Sequence, residues 1–380
     1  MKSITCISLF VFCICPLLKS LAGDTLVFKG QASGWINLNP TIEMPVWVGI
    51  RYIPTLNYKI ELPKSRLLDF EASANLSCNT GFHPFDSVNS DASLNPYRMW
   101  ARYSTSQFEL RIGLQKINFG SAAMLRPLMW FDQLDPRDPL QITNGVWGLL
   151  GRYYSLNNTN IWLWGLYGNK ETKTWELAKT SVKTPEFGGR IQVPLLKGDA
   201  AFSCHFRQAD TRLLSDSIEG TSRTPEQRIG LDGKWDVGPG IWFESSWIHK
   251  SINSGIATNQ EIFTVGTDYT FRIGNGLNAI FEHMVYGYGK EAFDINERLS
   301  FSGLSLAYPL NISNQLNAVI YRDWTNNAFY NFVNWKHQFS KLDIYLMAYW
   351  NPEDYQMPLQ NTQNNITSGK GIQIMMVFNH

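Results

Sequence analysis

From residue 24 onward, apolar and polar side chains alternate in short segments, and the turns joining those segments are alternately tight and long. Residues 107–114 read Q-F-E-L-R-I-G-L, with Phe108, Leu110, Ile112 and Leu114 on one face and Glu109, Arg111 and Gly113 on the other. Residues 159–167 and 341–350 carry similar runs. A period of two sets one side of each strand in an apolar medium and the other in a polar one. In a soluble β-sandwich, turn lengths have no reason to alternate. In a membrane barrel the apolar side meets lipid, one rim carries short turns and the other carries loops. The rhythm therefore predicts an all-β chain folded as a transmembrane, antiparallel, up-and-down barrel.

Eighteen strands are expected, with sixteen as the fallback, because the second (interrupted by Pro54) and the last are the least regular. Tight turns fall at 105–106, 157–158, 196–198, 238, 273–275, 310–313 and 340, and are rich in Gly, Asn, Pro and Ser. Long connections are expected at 79–95, 120–145, 169–185, 209–225, 250–259, 288–298 and 352–368. With both termini on the tight-turn side, the strand count is even.

Residues 1–22 read as a signal peptide: Lys2, an apolar run over 7–18, then Ser20-Leu21-Ala22 with small residues at the cleavage positions. Residues 23–380 form a single barrel domain. The first strand starts so close to the cleavage site that no plug domain is expected. Losing Lys2 and Lys19 takes the formal charge from +1 to −1, a balance that argues against a nucleic-acid partner. With 14% aromatic and 44% hydrophobic residues the chain is not disordered. Of five cysteines only Cys78 and Cys204 survive cleavage, too few for a disulfide framework.

Parity against the apolar face assigns lumen-facing residues in the fourth to tenth strands. These are Arg98, Arg102, Glu109, Arg111, Gln115, Arg152, Arg190, Gln192, His205, Arg207, Arg228, Asp232 and Lys234. Seven arginines and a lysine stand against three acids once Glu186 is included, a one-sided basic stripe. The segment 120–145 holds Asp132, Asp135 and Asp138 with Arg126 and Arg137. Folded into the lumen, it would be a constriction loop with its acids opposite the basic wall, a charge arrangement that selects permeants. The competing expectation is that the arginines pair with neighbouring acids. Trp130, Phe131 and Trp147 flank the loop acids and would anchor it to the wall or stack on sugars.

Residues 110–120, L-R-I-G-L-Q-K-I-N-F-G, followed by D-Q-L-D-P-R-D-P, resemble the porin-like outer-membrane families related to alginate-export channels. The matching positions are Arg111, Gly113, Gln115 and Gly120, then Asp135, Pro136, Arg137 and Asp138. The resemblance covers about forty residues and implies an outer-membrane channel in a bacterial cell. The closing run G-I-Q-I-M-M-V-F-N-H resembles the signal read by the barrel-assembly machinery, although two residues follow Phe378. Expected partners are therefore outer-membrane lipid, that machinery during biogenesis, and small polar or anionic solutes diffusing through the pore. A homo-oligomer is compatible with this reading.

No catalytic, metal or cofactor residue is assigned. The mature chain has no G-x-S-x-G, H-E-x-x-H or C-x-x-C, and its histidines are scattered. An enzyme is therefore not expected. Two alternatives to a channel stand beside it: a non-conducting structural or surface-binding barrel, and, less favoured, a barrel enzyme.

Overall fold

The computed structural model describes residues 24–83, 86–210, 223–251, 257–293, 298–353 and 366–380. The expected signal peptide, and most of the connections 209–225 and 352–368, lie outside the described residues. Eighteen antiparallel strands close into a barrel: β1 (Asp24–Leu38), β2 (Val46–Leu62), β3 (Arg66–Phe82), β4 (Val88–Ser104), β5 (Phe108–Gln115), β6 (Val146–Tyr154), β7 (Asn160–Leu166), β9 (Glu186–Leu195), β10 (Gly198–Asp210), β11 (Thr224–Asp236), β12 (Gly240–Lys250), β13 (Asn259–Phe271), β14 (Leu277–Gly289), β15 (Arg298–Pro309), β16 (Asn314–Asp323), β17 (Ala328–Gln338), β18 (Leu342–Trp350) and β19 (Lys370–Asn379). A two-residue piece, β8 (Lys179–Thr180), continues the line of β9 alongside β10. Each wall strand pairs with its sequence neighbour, and β1 closes the seam on β19 from Gln31 opposite Asn379 to Leu38 opposite Ile372. All eighteen expected strands are present.

The burial pattern is the reverse of a water-soluble protein. Leu163 is 65% exposed and Ile112 59%, whereas Gln115, His205, Glu244 and Glu282 are 0% exposed. A wall with apolar residues outside and acids inside has no stable place in water but suits hydrocarbon. Among the described residues no helix is long and apolar enough to cross a membrane.

The tight rim follows turn chemistry. Leu196 and Lys197 both take positive φ between the paired Leu195 and Gly198, which gives a two-residue turn whose twist matches that of the flanking strands. Pro54 does not end β2. It stays opposite Gly30 of β1, and only the ladder to β3 lapses there.

Two boundaries differ from the sequence expectation. The connection expected at 79–95 is mostly strand, since β3 and β4 stay paired up to Phe82 opposite Val88. Ser77 bonds Ser93 and Ser90 bonds Thr80 across this extension. Alternation runs on through it, with Leu76, Phe82, Val88 and Leu94 on the outer face and Asn75, Asn79, Asn89 and Asp91 on the inner one, but Thr80 and Ser90 interrupt the apolar side. The strand expected over 107–119 ends at Gln115. Beyond it Ile117 and Phe119 keep the alternation but turn inward, each at most 7% exposed, because they pack on aromatic rings inside the barrel.

Candidate functional site

The lumen is occupied by the connection between β5 and β6. The run G-S-A-A at 120–123 lacks bulk where it crosses, so the backbone N–H groups there and just beyond reach the far wall. Two carboxylates receive them. Glu282 of β14 accepts from Ala123 (2.6 Å), Met124 (2.9 Å) and Leu125 (2.6 Å), and from Trp242 Nε1 (2.9 Å). Glu244 of β12 accepts from Ala122 (2.8 Å) and Leu128 (2.5 Å). Ser121 Oγ donates to Asp232, and Trp130 Nε1 donates to Ser246. These bonds compensate backbone groups that would otherwise be stranded away from water.

Apolar packing completes the insertion on two sides. Met124, Leu125 and Met129 sit among Ile248, Ile262, Met284, Phe301 and Tyr321. Ile117, Phe119, Leu128, Trp130 and Phe131 pack on Val146, Leu150, Trp164 and Leu166. A second connection braces the first: Trp175 Nε1 donates to the Arg126 carbonyl (2.7 Å), and Gln133 donates to the Thr172 carbonyl (2.9 Å).

The basic residues of the wall fall into separate groups. Arg102 makes two bonds to Asp69, at 2.9 and 2.6 Å. Arg102, Arg111 and Arg152 also surround the single carboxylate of Glu109, at 3.5, 2.9 and 3.5 Å. The ion pairs of that cluster join three guanidinium groups to two carboxylates, and the Glu71 carboxylate and Arg98 guanidinium stand beside them. Arg98 donates to the carbonyls of Tyr97 and Thr143, and Gln115 to those of Arg111 and Gly148. Arg190 is forked onto Asp232 at 2.5 and 2.9 Å. Arg207 and Arg228 share Glu226 and Glu176, with Lys250 3.7 Å from Glu226.

The loop acids have partners within the loop. Asp132 lies 3.6 Å from Arg126, and Asp135 grips Arg137 with two bonds of 2.8 Å to its Nε and Nη2. Asp138 accepts the backbone N–H groups of Leu140 and Ile142. Burial pushes the carboxyls of Asp132 and Asp138 above the ordinary range and holds the Lys173 ammonium below its own. Within the loop these acids thus meet Arg126, Arg137 and backbone N–H groups, and Arg51 of β2 adds its charge toward Asp138.

Open space lies on the other side of the loop. A cavity of about 410 Å³ separates residues 135–140 from β1–β3 and β17–β19. Sequence reasoning placed the chemistry on β4–β11 and passed over this side, where Trp35, Trp47 and Arg51 share the inward parity. It also passed over Glu244 and Glu282. Each is a lone acid at an inward position of its strand, and such an acid in a half-wall with few cations was the available signal.

The site and wall together define a transmembrane β-barrel whose lumen is narrowed by an inserted loop, the fold of bacterial outer-membrane channels. Three solved structures share it at low identity. The chain is similar to OccAB1 of Acinetobacter baumannii (TM-score 0.55, 7% identity, covering 95% of this chain and 97% of that one). It is similar to OccK7 of Pseudomonas aeruginosa (TM-score 0.55, 9% identity, 95% and 99%) and to the outer-membrane channel DcaP of Acinetobacter baumannii (TM-score 0.50, 13% identity, 96% and 99%). No protein-family model matches the chain. No curated protein matches it in sequence.

Proposed function

We propose that this protein is an outer-membrane, porin-like channel through which small polar or anionic solutes pass passively, without a reaction or a cofactor. The observation that carries this reading is the polar lumen inside a lipid-facing wall, incompletely filled by the segment 120–145, with a cavity left beside it. A structural barrel has no need to hold a chain across its lumen on two carboxylates yet leave space next to it. In this reading Asp132, Asp135, Arg137 and Asp138 belong to a constriction loop.

Arg98, Arg102, Glu109, Arg111, Gln115, Arg152, Arg190, Arg207 and Arg228 are proposed to line the pore. Anion preference is supported by the cluster around Glu109, where Arg98, Arg102, Arg111 and Arg152 stand against Asp69, Glu71 and Glu109. In a narrow throat such a field is screened less than at an open surface. Kinship with alginate-export-type channels rests on Arg111, Gly113, Gln115, Gly120 and residues 135–138 alone. Outer-membrane lipid surrounds the barrel in this reading, the assembly machinery inserts it, and a homo-oligomer is compatible with its outer face.

Planar-bilayer recording of the purified chain tests the proposal. Stepwise conductance with a reversal potential favouring chloride is expected. A folded, inserted barrel that carries no current would overturn it.

A further inference from the structure

The cavity beside the loop has a lining unlike the rest of the lumen. On one side the indoles of Trp35 and Trp47 lie flat along the wall, each over the glycine directly opposite it on the next strand. Trp35 covers Gly49 and Trp47 covers Gly81, as the pairing registers show. A Cβ at Gly81 would sit 2.8 Å from the Trp47 ring, and one at Gly49 would collide with Trp35. The glycines are thus what lets two successive rings lie down instead of standing into the lumen. Across the space, Phe332 carries the Arg137 guanidinium 4.7 Å from its ring centre.

The polar groups around these rings are mostly uncharged or cancel. Asn79, Asn334 and Gln373 supply amides, while Arg51 and Arg137 balance Asp135 and Asp138. Two donors in the lining, Arg51 Nε and Trp47 Nε1, are buried and have no hydrogen-bond partner. Both atoms are closed off from the open space.

Resting on the channel reading, we propose that this cavity is a binding step for a neutral saccharide of one or two rings on its way through the pore. The indoles offer apolar surface to the C–H groups of a sugar ring, and the amides match its hydroxyl groups. Cancelled charge removes the advantage of an anion at this level. A volume of about 410 Å³ falls within the roughly 300–1,000 Å³ usual for small-molecule sites. The arginine cluster around Glu109 lies near the tight-turn rim, away from this cavity, so a positive field there and a neutral site here are compatible.

The test uses the full chain in a planar bilayer, with sucrose as the neutral probe and benzoate as a planar anion. Sucrose should reduce the ion current in a saturable way, and benzoate at equal concentration should not. Trp47→Ala and, separately, Arg51→Gln should each weaken the sucrose block by roughly tenfold, while Trp35→Phe, which keeps a ring, should retain most of it. Heat-modifiable migration on gels checks that each variant is folded. Normal ion conductance with no block by sucrose would overturn this inference and leave the channel reading standing. Block by benzoate instead would reassign the cavity to anions. A folded barrel with no ion current at all would overturn the channel reading itself.

Discussion

Replacing Glu282 with Gln should release the loop without unfolding the barrel. The carboxylate of Glu282 accepts four N–H groups, two on each oxygen: Ala123 and Trp242 on Oε1, Met124 and Leu125 on Oε2. Glutamine is nearly the same size but keeps only one acceptor oxygen, and its amide nitrogen turns a donor toward the two N–H groups on the other side. A hydrogen bond to a charged group contributes about 1.5–3 kcal/mol net, so two of them amount to roughly 3–6 kcal/mol. No longer burying a charge offsets part of that, leaving about 2–4 kcal/mol. The cost falls on the loop, because the ladders of β14 to β13 and β15 are backbone bonds. Single-channel recording should then show larger, noisier openings than wild type, with gel migration of the folded barrel retained. Adding Glu244→Gln, which disturbs the bonds from Ala122 and Leu128, should enlarge the effect by less than the sum, since both hold one segment. Quiet, wild-type conductance from well-folded Glu282→Gln would refute the idea that this carboxylate holds the loop.

Three further outcomes are expected. Changing both Arg102 and Arg111 to Gln removes two of the three guanidinium groups around Glu109, so reversal potentials in a salt gradient should move toward cations, most clearly at low salt; unchanged selectivity in a folded variant would count against the cluster as the source. Leu346, 44% exposed on the outer face, should cost roughly 2–4 kcal/mol as Leu346→Arg if it sits at midplane depth, whereas Asp343→Asn, which loses a partly exposed pair with Lys336 at 3.2 Å, should cost less than about 1 kcal/mol; urea titrations of refolded protein compare the two. Burial raises the Asp132 carboxyl above its unfolded value, so its contribution favours the folded state fully below about pH 4 and is lost as pH rises through the raised value; Asp132→Asn, neutral throughout, should therefore show a flatter dependence of melting temperature on pH above about 4.

The wall was legible because lipid enforces alternation on every spanning residue, and the tight turns carry their own chemistry in Leu196–Lys197 and Gly238. Alternation misleads in two places. In the β3–β4 extension the alternation persists in diluted form, since Thr80 and Ser90 sit among Leu76, Phe82, Val88 and Leu94 on the outer face. At Lys116 the period of two continues while the chain leaves the wall, since Ile117 and Phe119 meet an apolar surface inside the barrel as their neighbours met one outside. Parity identified Arg102, Arg111, Arg190 and Arg207 as candidates for the lumen, but their partners, such as Asp69 and Asp232, depend on barrel tilt and register. Holding a loop with Glu244 and Glu282 depends on contacts between residues more than a hundred positions apart, which no local pattern carries.

That separation also has a meaning in time. Ala123 and Glu282 are 159 positions apart in the chain, and the segment they join leaves the wall after only five strands. Until β12 and β14 are laid down, it has neither carboxylate to hold its N–H groups nor the Met284 and Phe301 surface to bury Met124. Contacts this distant in sequence form late. A half-built barrel is consequently an unobstructed one, and the obstruction arrives only when the wall is nearly complete.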